Sequence, residues 1–380
     1  MEFHPQFSEN LVFDLLRRLR ERRLSDAVTD DWRYGTERNF LISILDYWEH
    51  RYDFGAAIAR LDKLPQFLVE INGFPTHYVL LKSNSPSPKP LLLMNGWPSS
   101  FIEYIKLAPR LANPSAHGGR AEDAFDVVIP ALPGFGFSGK PTRPFAIDPV
   151  ELFHELMTKH LGYSQFYASG TDIGAGVATR LALKYPNAMR GIHVASVVDP
   201  PLAANARGLS ADEMAYQSRE KRWDEEEGAY QNLQSTRPQT LAFALSESPS
   251  GLASWILEKF YFWSDHKASL FDAFSPDVLI DNLMVYWMTE SIGSSMRYYY
   301  DARHYRPALQ VGDFVNVPVA ICMWPKDLIV APRDWCERFY NVKQYTLQPH
   351  GGHFPAWERP DAYADDLTSF VRTVETARQE

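Results

Sequence analysis

Cysteine is scarce in this sequence of 380 residues, which contains only Cys322 and Cys336. Two cysteines are too few for the disulfide framework of a small secreted domain, and no group of Cys and His residues has metal-ligand spacing. The sequence therefore predicts no metal site and a reducing compartment.

Long apolar runs are missing as well. The first ten residues, MEFHPQFSEN, contain no apolar signal segment, and no run of about 18 apolar residues occurs along the chain. We therefore expect a cytoplasmic protein that has no membrane anchor.

Basic residues are fewer than acidic residues, which gives a formal net charge of −9. The densest basic run, RRLRERR at 17–23, has the pattern of a solvated helix face. This charge balance argues against a nucleic-acid partner. The many aromatic residues could serve the core or an interface, so a homo-oligomer stays open beside a monomer.

Short apolar runs that each end in turn-forming residues dominate the second quarter of the chain, as in PLLLMNG, FDVVIPAL, SQFYASG and GIHVASVV. Helical patterns separate these runs, which is typical of an α/β protein with buried parallel strands. Segments typical of strands return with VPVAICMW (317–324) and KQYTLQ (343–348), after a long helical section. We expect a mostly parallel central sheet that is interrupted by a helical cap insertion.

The chain before this sheet has a different pattern of predicted secondary structure. An amphipathic helix is expected over Leu11–Arg23 and a Trp- and Tyr-rich helical stretch over Trp32–Phe54, followed by a hairpin with its turn at Asn72-Gly73. The expected organisation is an N-terminal meander at 1–88, a first core part at 89–200, a cap at 201–306 and a second core part at 307–380.

The stretch ASGTDIGAG (168–176) places a carboxylate, Asp172, between Gly170 and Gly174 in a turn from a strand into a helix. Small residues on both sides allow the sharp turn of a nucleophile elbow, which presents its central side chain above the sheet. Taken alone, Asp172 could equally be a helix N-cap.

Two further strand ends decide between these interpretations. MWPKDLIVAP (323–332) places Asp327 just after an apolar strand, and PHGGHFPAWERP (349–360) places His353 in a Gly-rich loop after the next strand. The chain order of nucleophile, acid and histidine is that of the α/β-hydrolase triad. We therefore predict Asp172, Asp327 and His353 as the catalytic triad.

Two backbone N–H groups are expected to form an oxyanion hole. The loop in LLLMNGWPSS (91–100) contributes the N–H of Trp97, and the second N–H belongs to Ile173, directly after the predicted nucleophile. The loop ALPGFGFSGKP (131–141) is expected to shape the cavity wall.

An aspartate at this position points to substitution at a saturated carbon. Serine attacking such a carbon would leave an ether, whereas a carboxylate leaves an ester that water can cleave. A carbon–halogen bond releases a halide and needs N–H donors, whereas an epoxide needs a weak acid such as tyrosine beside its oxygen. Ile173 offers no indole donor next to the nucleophile and the cap is rich in tyrosine, which favours an epoxide.

With these residues in place, the chain resembles the epoxide hydrolases of the microsomal type over nearly its whole length. The similar segments include DDWRYG, YWEHRYDF, LPQFLVEINGFPTHYVLLKS, NGWPSS, LPGFGFSGKP, GTDIG, SPSGLASWILEKFYFW, LMVYWMTESIGSSMRYYYDA, WPKDLIVAP and GGHFPAWERP. The resemblance implies an α/β-hydrolase fold, an epoxide substrate of small size and no cofactor.

The resemblance also implies two cap tyrosines that bind the epoxide oxygen. SSMRYYY aligns Tyr299 with one of them, with Tyr298 and Tyr300 as alternatives, and GAYQNLQ supplies Tyr230 as the other. The residues expected to line the substrate pocket are Trp97, Pro98, Tyr298 and Phe354.

The sequence departs from the family pattern at two positions. Asn95 stands where the family usually has His before Gly96, and its side chain is expected to shape the loop rather than react. Ile173 replaces a Trp beside Asp172, which predicts a roomier pocket and an unusual substrate.

Three alternatives to hydrolysis of an epoxide remain at this stage. The first is a haloalkane or haloacid dehalogenase, and the second is a biosynthetic enzyme in which a group of the substrate itself opens the ring. The third is a hydrolase-fold protein that binds a ligand without catalysis, although a binder has no need of all three triad residues.

Overall fold

The computed structural model of the protein describes residues 1–202 and 207–379. Its described strands form one eight-stranded sheet. In chain order they are β1 (Gln66–Ile71), β2 (Phe74–Leu81), β3 (Lys89–Met94), β4 (Phe125–Pro130), β5 (Phe166–Gly170), β6 (Met189–Val194), β7 (Val315–Met323) and β8 (Tyr340–Leu347).

The sheet is mostly parallel, as the sequence predicted. Its strand order is β1-β2-β4-β3-β5-β6-β7-β8, and β2 runs antiparallel to both neighbours while the other neighbouring pairs are parallel. The continuous apolar runs have the burial expected of strands covered on both faces, since all six residues of β4 are buried. The predicted α/β-hydrolase architecture is confirmed.

The N-terminal part contains three helices before the sheet begins: α1 (Glu9–Arg20), α2 (Arg38–His50) and α3 (Phe54–Asp62). The expectation of one helical stretch from Trp32 is wrong at its start, because residues 32–34 form only a 3₁₀ turn and Gly35 follows with a φ of 101°. The helix starts anew at α2, where the Glu37 side chain accepts hydrogen bonds from the N–H groups of Asn39 and Phe40.

The hairpin that follows joins this part to the sheet. Asn72 and Gly73 both have positive φ values, 51° and 78°, which a two-residue type I′ turn requires. β1 and β2 therefore pair antiparallel, and β2 adds the N-terminal part to the edge of the parallel strands.

Helices cover the sheet between and after the parallel strands. Those before the predicted cap are α4 (Leu107–Ala112), α5 (Pro149–Glu155) and α6 (Asp172–Lys184). The predicted cap contains α7 (Ala211–Glu226), α8 (Ala229–Thr236), α9 (Pro238–Glu247), α10 (Pro249–Trp263), α11 (Pro276–Met288) and α12 (Ile292–His304). The chain ends with α13 (Arg333–Cys336), α14 (Pro355–Glu358) and α15 (Pro360–Gln379).

Buried hydrogen bonds fasten the cap helix α11 to the loop after β3. The amide of Asn282 donates to the carbonyl of Pro98 at 2.8 Å, and the hydroxyl of Tyr286 donates to the carbonyl of Ser99, also at 2.8 Å. The apolar core is continuous across this junction, because buried side chains of the sheet, the cap and the N-terminal helices pack in one cluster. The cap is thereby held directly over the carboxyl ends of the strands.

The division of the chain at residues 88, 200 and 306 stays a prediction, and residues 203–206 of the predicted cap lie outside the described residues. Within residues 1–202 and 207–379, no helix combines the length and the apolar character needed to cross a bilayer.

Candidate active site

The predicted nucleophile sits at the turn between β5 and α6. Asp172 has a φ of 49°, a left-handed conformation that is uncommon for a residue with a side chain. The glycines around it have no room for a methyl group, because a Cβ on Gly174 would lie 2.0 Å from the carbonyl oxygen of Met94. These contacts let the chain reverse sharply and lift the carboxylate above the sheet.

Two backbone N–H groups act on the Asp172 carboxylate. The N–H of Trp97 donates to Oδ1 at 2.9 Å, and the N–H of Ile173 is near enough to lower the pKa of the carboxyl group. A Cβ on Gly96 would lie 2.0 Å from Oδ1, so the loop can come this close only with glycine before Trp97. The two predicted oxyanion donors are therefore directed at one carboxylate.

The three predicted triad side chains meet at the ends of β5, β7 and β8. Nδ1 of His353 lies 2.6 Å from Oδ1 of Asp327, and Nε2 lies 3.7 Å from Oδ2 of Asp172. The backbone fixes both partners, since His353 N–H donates to the carbonyl of Trp263 and Leu328 N–H donates to Asp327 Oδ1, each at 2.7 Å. The imidazole is thus oriented by one carboxylate towards the other.

Burial and the neighbouring charge of His353 act in opposite directions on the pKa of Asp172, and burial has the larger effect. Burial raises the pKa of Asp172, while the positive charge of His353 and the two N–H donors lower it by smaller amounts. The Asp172 side chain keeps 17% of its surface exposed, compared with 3% for His353 and 5% for Asp327. Asp172 is therefore the triad member that a substrate can reach.

Acidic neighbours dominate the pKa of His353. Burial lowers it, but the charge and hydrogen bond of Asp327, with contributions from Asp172 and Glu103, raise it to about 9. The contribution of Asp172 depends on its own chemical state, because its negative charge is present only while the carboxylate is ionised and not esterified.

The two predicted cap tyrosines approach the nucleophile loop from α8 and α12. The ring of Tyr230 stacks on that of Trp97 with centroids 5.4 Å apart, and the ring of Tyr299 meets Trp97 edge-on at 6.1 Å. Tyr230 and Tyr299 contact each other at 6.0 Å with nearly perpendicular planes. Both tyrosines are therefore packed around the residue whose N–H binds Asp172.

The hydroxyl of Tyr299 is buried and has no hydrogen-bond partner among the described residues. Burial raises the pKa of Tyr299 well above its ordinary value, and the charges of Tyr230 and Asp172 add to this rise. Burial also raises the pKa of Tyr230, again with the Asp172 charge contributing. Both phenols hold their protons at neutral pH and can donate a hydrogen bond to a ligand oxygen.

The residues predicted to line the pocket occupy different places. Phe354 contacts the His353 ring edge-on at 5.2 Å, and the carbonyl of Pro98 accepts the hydrogen bond from Asn282. Tyr298 lines a cavity of about 770 Å³ beside the site. Asn95 is buried and donates to the carbonyl of Gly96 at 2.9 Å, so its side chain supports the loop.

The loop ALPGFGFSGKP was expected to shape a cavity wall. Pro133, Lys140 and Pro141 of this loop line the same cavity as Tyr298. The carbonyl of Gly134 accepts a hydrogen bond from Ser294 at 2.6 Å, which joins the loop to the cap helix α12.

The sequence did not reveal a third carboxyl group near the triad. Glu103 is fully buried in the 3₁₀ turn Phe101–Tyr104, where one carboxyl oxygen accepts from the Ser99 hydroxyl at 2.6 Å and the other has no described partner. Burial raises the pKa of Glu103 to about 7. The only available signal was a lone glutamate in the apolar segment FIEYI, directly after the loop that binds Asp172.

A half-buried carboxyl group supports the loop that presents His353. Glu358 accepts hydrogen bonds from the N–H groups of Asp265, Gly352 and Phe354 at 2.7–3.0 Å. Because Gly352 and Phe354 flank His353 on both sides, Glu358 fixes the backbone around the imidazole.

Within residues 1–202 and 207–379, one group of potential metal ligands, His193, Cys322 and Asp366, has its ligand atoms within 4.8 Å of one another. Both imidazole nitrogens already have partners, since Nδ1 lies 2.9 Å from the Ser169 hydroxyl and Nε2 lies 3.1 Å from Asp366. The three residues come from separate elements, which explains why spacing in the sequence did not indicate the group.

Known proteins resemble this chain over nearly its whole length. Residues 1–104 match the family profile of the epoxide hydrolase N terminus, and residues 89–242 match the α/β-hydrolase fold. The chain is 38% identical to a putative epoxide hydrolase of Stigmatella aurantiaca, over 96% of this chain and 83% of that protein. It is 32% identical to epoxide hydrolase 1 of Oryctolagus cuniculus, over 98% of this chain and 89% of that protein.

Similarity in structure extends over the same length. The crystal structure of juvenile hormone epoxide hydrolase from the silkworm Bombyx mori has a TM-score of 0.89 at 28% identity, covering 99% of this chain and 95% of that one. The chain thus combines an aspartate at a strand-to-helix turn, a histidine between two carboxylates and two tyrosines from the helical section. Its relatives match it over nearly its whole length. The chain belongs to the epoxide hydrolase family and is an enzyme built on the α/β-hydrolase fold.

Proposed function

We propose that this enzyme hydrolyses an epoxide to a vicinal diol through a hydroxyalkyl ester on Asp172. The observation that supports this most is the position of Asp172, which lies beside the His353–Asp327 pair and accepts the N–H of Trp97, the residue on whose ring Tyr230 and Tyr299 pack. A carboxylate nucleophile, a base and two proton donors are the groups that the two halves of the reaction require.

In the first half, Oδ2 of Asp172 attacks an epoxide carbon. Oδ1 is the oxygen bound by the Trp97 N–H, whereas Oδ2 lies on the side of His353 and is the better placed of the two to attack. As the ring C–O bond breaks, Tyr230 and Tyr299 donate hydrogen bonds to the departing oxygen and one of them supplies its proton. The product is a hydroxyalkyl ester in which Oδ1 is the carbonyl oxygen.

Ester formation changes the state of His353. The Asp172 charge is one of the causes that raise the pKa of His353, and the ester carries no charge. The pKa of the imidazole therefore falls once the ester forms, and a proton can leave to the tyrosinate produced by ring opening or to solvent. His353 then acts as a base only after the first half of the reaction is complete.

In the second half, neutral His353 accepts a proton from water, which attacks the ester carbonyl carbon. The negative charge develops on Oδ1, which already accepts the N–H of Trp97, and the N–H of Ile173 beside the same carboxyl group is the proposed second donor. Asp327 stabilises the imidazolium through its 2.6 Å contact with Nδ1. Collapse of the tetrahedral intermediate releases the diol and restores the Asp172 carboxylate.

A single-turnover experiment in ¹⁸O-labelled water tests this route. With enzyme in excess over styrene oxide, the first diol should contain unlabelled oxygen, because its new oxygen comes from Asp172, and the label should appear in the peptide that contains Asp172. Label in the first diol would show direct attack by water and would refute the ester mechanism. With an epoxide that carries its own hydroxyl group, an unlabelled cyclic product without labelled Asp172 would indicate attack by that group of the substrate.

Two variants separate catalysis from binding. His353→Gln should accumulate a protein adduct whose mass increases by that of the epoxide, because the ester forms but its hydrolysis lacks a base. Asp172→Asn should form no adduct and no diol, once deamidation has been excluded by mass spectrometry. Halide release from haloalkanes by the wild-type enzyme, without diol from any epoxide, would assign the site to dehalogenation.

A further inference from the structure

A lysine is buried among the aromatic rings that surround the proposed acids. Lys259 lies on α10, and its side chain keeps only 7% of its surface exposed. Its Nζ lies 5.1 Å from the ring centroid of Tyr230 and 5.6 Å from that of Trp263, in the geometry of a cation–π contact. Lysine is rarely buried to this extent unless it is paired, so a buried ammonium against the ring of a proposed acid is unusual.

The last turn of α10 contacts the proposed base as well. Lys259 and Trp263 are four residues apart and therefore lie on the same face of the helix. The Trp263 ring contacts that of Tyr230 at 5.1 Å and meets that of His353 edge-on, also at 5.1 Å. The carbonyl of Trp263 accepts the N–H of His353 at 2.7 Å. One helical turn thus holds the ammonium close to both halves of the proposed reaction.

Two carboxylates compensate the buried charge of Lys259. Its Nζ lies 2.6 Å from Oε2 of Glu258 and 3.9 Å from Oε2 of Glu227. Both glutamate side chains reach solvent, with 20% and 27% of their surfaces exposed, whereas Tyr230 is buried. Water therefore screens the two carboxylates more strongly than it screens the ammonium, which is packed on a buried ring. The positive charge is the one that Tyr230 meets directly.

The two proposed acids differ in this respect. Among the residues that the structure describes, no lysine or arginine lies over the ring of Tyr299, which packs against Trp97 and Tyr230. Ring opening requires one tyrosine to give its proton to the epoxide oxygen, which leaves a phenolate in buried surroundings. A buried anion is costly unless a cation stands beside it. Lys259 meets this requirement for Tyr230 but not for Tyr299.

We propose that Lys259 is a positioning residue whose ammonium stabilises the phenolate of Tyr230, so that Tyr230 rather than Tyr299 gives its proton to the epoxide oxygen. This inference rests on the proposed epoxide hydrolysis. As Asp172 forms its bond to carbon, the electron pair of the breaking C–O bond passes to the ring oxygen, which takes the Tyr230 proton. Tyr299 donates only a hydrogen bond to that oxygen. The imidazolium proton of His353 then returns to Tyr230, directly or through solvent, which leaves His353 neutral for ester hydrolysis.

Lys259→Met tests the inference, because it keeps a long side chain and removes the charge. In single turnovers with styrene oxide, alkylation should slow by about tenfold or more, since a charge near the developing phenolate is lost. Hydrolysis of the ester should keep its rate, because no phenolate forms in that half of the reaction. Circular dichroism checks folding, and Lys259→Gln provides the same test if the methionine variant does not fold. An unchanged alkylation rate in a folded variant would overturn the inference.

Double variants separate this role from that of a fastening between α8 and α10. Tyr230→Phe keeps the ring under the ammonium but has no proton to give, so adding Lys259→Met should have little further effect on alkylation. In Tyr299→Phe, where Tyr230 is the remaining acid, adding Lys259→Met should slow alkylation by the full factor. An equal factor in both backgrounds would show that Lys259 only holds the helices together. A full effect in Tyr230→Phe alone would assign the phenolate to Tyr299. Either result would overturn the inference.

Lys221→Met is the matched control, because it removes an ion-paired lysine whose side chain is 80% exposed and whose Nζ lies 3.9 Å from Glu225. Both half-reactions should keep their wild-type rates in this variant. The adduct on His353→Gln separates this inference from the proposed reaction. An adduct on that variant, together with unchanged alkylation in folded Lys259→Met, would refute the role of Lys259 alone. Absence of the adduct would refute the proposed ester mechanism and this inference with it.

Discussion

Nε2 of His353 lies 3.7 Å from Oδ2 of Asp172, while Nδ1 of the same ring lies 2.6 Å from Oδ1 of Asp327. One imidazole thus stands between a carboxylate that keeps its charge and another that is proposed to lose it during the reaction. The pKa of His353 is therefore coupled to the progress of catalysis, which leads to a prediction for each half-reaction.

Both half-reactions should slow as the pH falls, because each needs a deprotonated group, but they should do so in different pH ranges. Alkylation needs ionised Asp172, whose pKa is raised chiefly by burial, so its rate should fall at acid pH before that of an ordinary aspartate would. Ester hydrolysis needs neutral His353, so its rate should rise with pH and level off below pH 9, the approximate pKa of His353 in the free enzyme. Stopped-flow tryptophan fluorescence can follow both phases, because Trp263 contacts the His353 ring at 5.1 Å.

Asp327→Asn serves as the comparison for this pH profile. Removing the carboxylate removes the main cause that raises the pKa of His353, so hydrolysis should become slower and its profile should move to lower pH. A hydrolysis rate that does not change with pH in the wild-type enzyme would contradict the proposed role of His353.

The tyrosine pair should contribute to ring opening but little to stability. The hydroxyl of Tyr299 has no described partner, so Tyr299→Phe should leave the melting temperature unchanged or raise it. Alkylation should slow by at least about tenfold in either single variant and by about a thousandfold in Tyr230→Phe/Tyr299→Phe.

The control for the tyrosines is Tyr305→Phe, which removes a hydroxyl at the exposed end of α12. Alkylation in this variant should match that of the wild-type enzyme. Full turnover of epoxide by the folded double variant would show that other groups protonate the ring oxygen.

Gly96→Ala should inactivate the enzyme through a single methyl group. Its Cβ would lie 2.0 Å from Oδ1 of Asp172, so the loop or the carboxylate must shift, and misplacement by about 1 Å can cost about a hundredfold in rate. Steady-state kinetics with styrene oxide, combined with circular dichroism to check folding, measures the effect.

Gly176→Ala provides a contrast on the same catalytic element. Gly176 lies in α6 with nothing within 4 Å of an added Cβ, so this change should preserve activity and stabilise the helix by about 0.5–1 kcal/mol. Normal activity of Gly96→Ala would mean that Trp97 N–H and Asp172 do not need their present separation.

Glu103 should make the protein less stable as the pH rises. Its pKa is about 7 in the folded protein and 4.5 in the unfolded reference, so its protonated form stabilises the fold below pH 4.5 and this contribution is lost as the pH rises through 7. Glu103→Gln should remove this loss, which amounts to at most about 3 kcal/mol, as measured by urea unfolding across the pH range.

The same variant should also move the pH profile of ester hydrolysis to lower pH, because the Glu103 charge is one cause of the raised pKa of His353. The exposed Glu225→Gln removes an equal charge at a distance and should change neither measurement. A purely structural role for Glu103 would alter stability without moving the kinetic profile.

Motifs at strand ends made the central site predictable. Asp172, Asp327 and His353 each follow an apolar run, and parallel strands bring their carboxyl ends to one edge of the sheet. The Gly-flanked turn and the glycine before Trp97 could be interpreted for the same reason, because close backbone approach restricts the residue type. Chain order and local sterics were therefore sufficient for these positions.

Features that depend on packing between distant segments were not predictable. The burial of Glu103 and the orientation of the Tyr299 hydroxyl follow from how the cap meets the loop after β3, which no local pattern encodes. The cavity that Tyr298 lines combines residues near positions 140, 237 and 300. These segments are far apart in the sequence, so no local pattern indicates that they meet. The false helix start at Trp32 has a local cause, since an aromatic stretch continues through Gly35, where the backbone turns.

The hydrogen bonds from Asn282 and Tyr286 to the Pro98–Ser99 backbone have a chemical consequence for a protein that carries a reactive carboxylate. They join two layers of the molecule, one holding the proposed nucleophile and the other the proposed acids. With α11 seated on this loop, the proposed acids and the proposed nucleophile face the same ligand. Alkylation of Asp172 with help from the acids is thus limited to molecules that both layers contact at once.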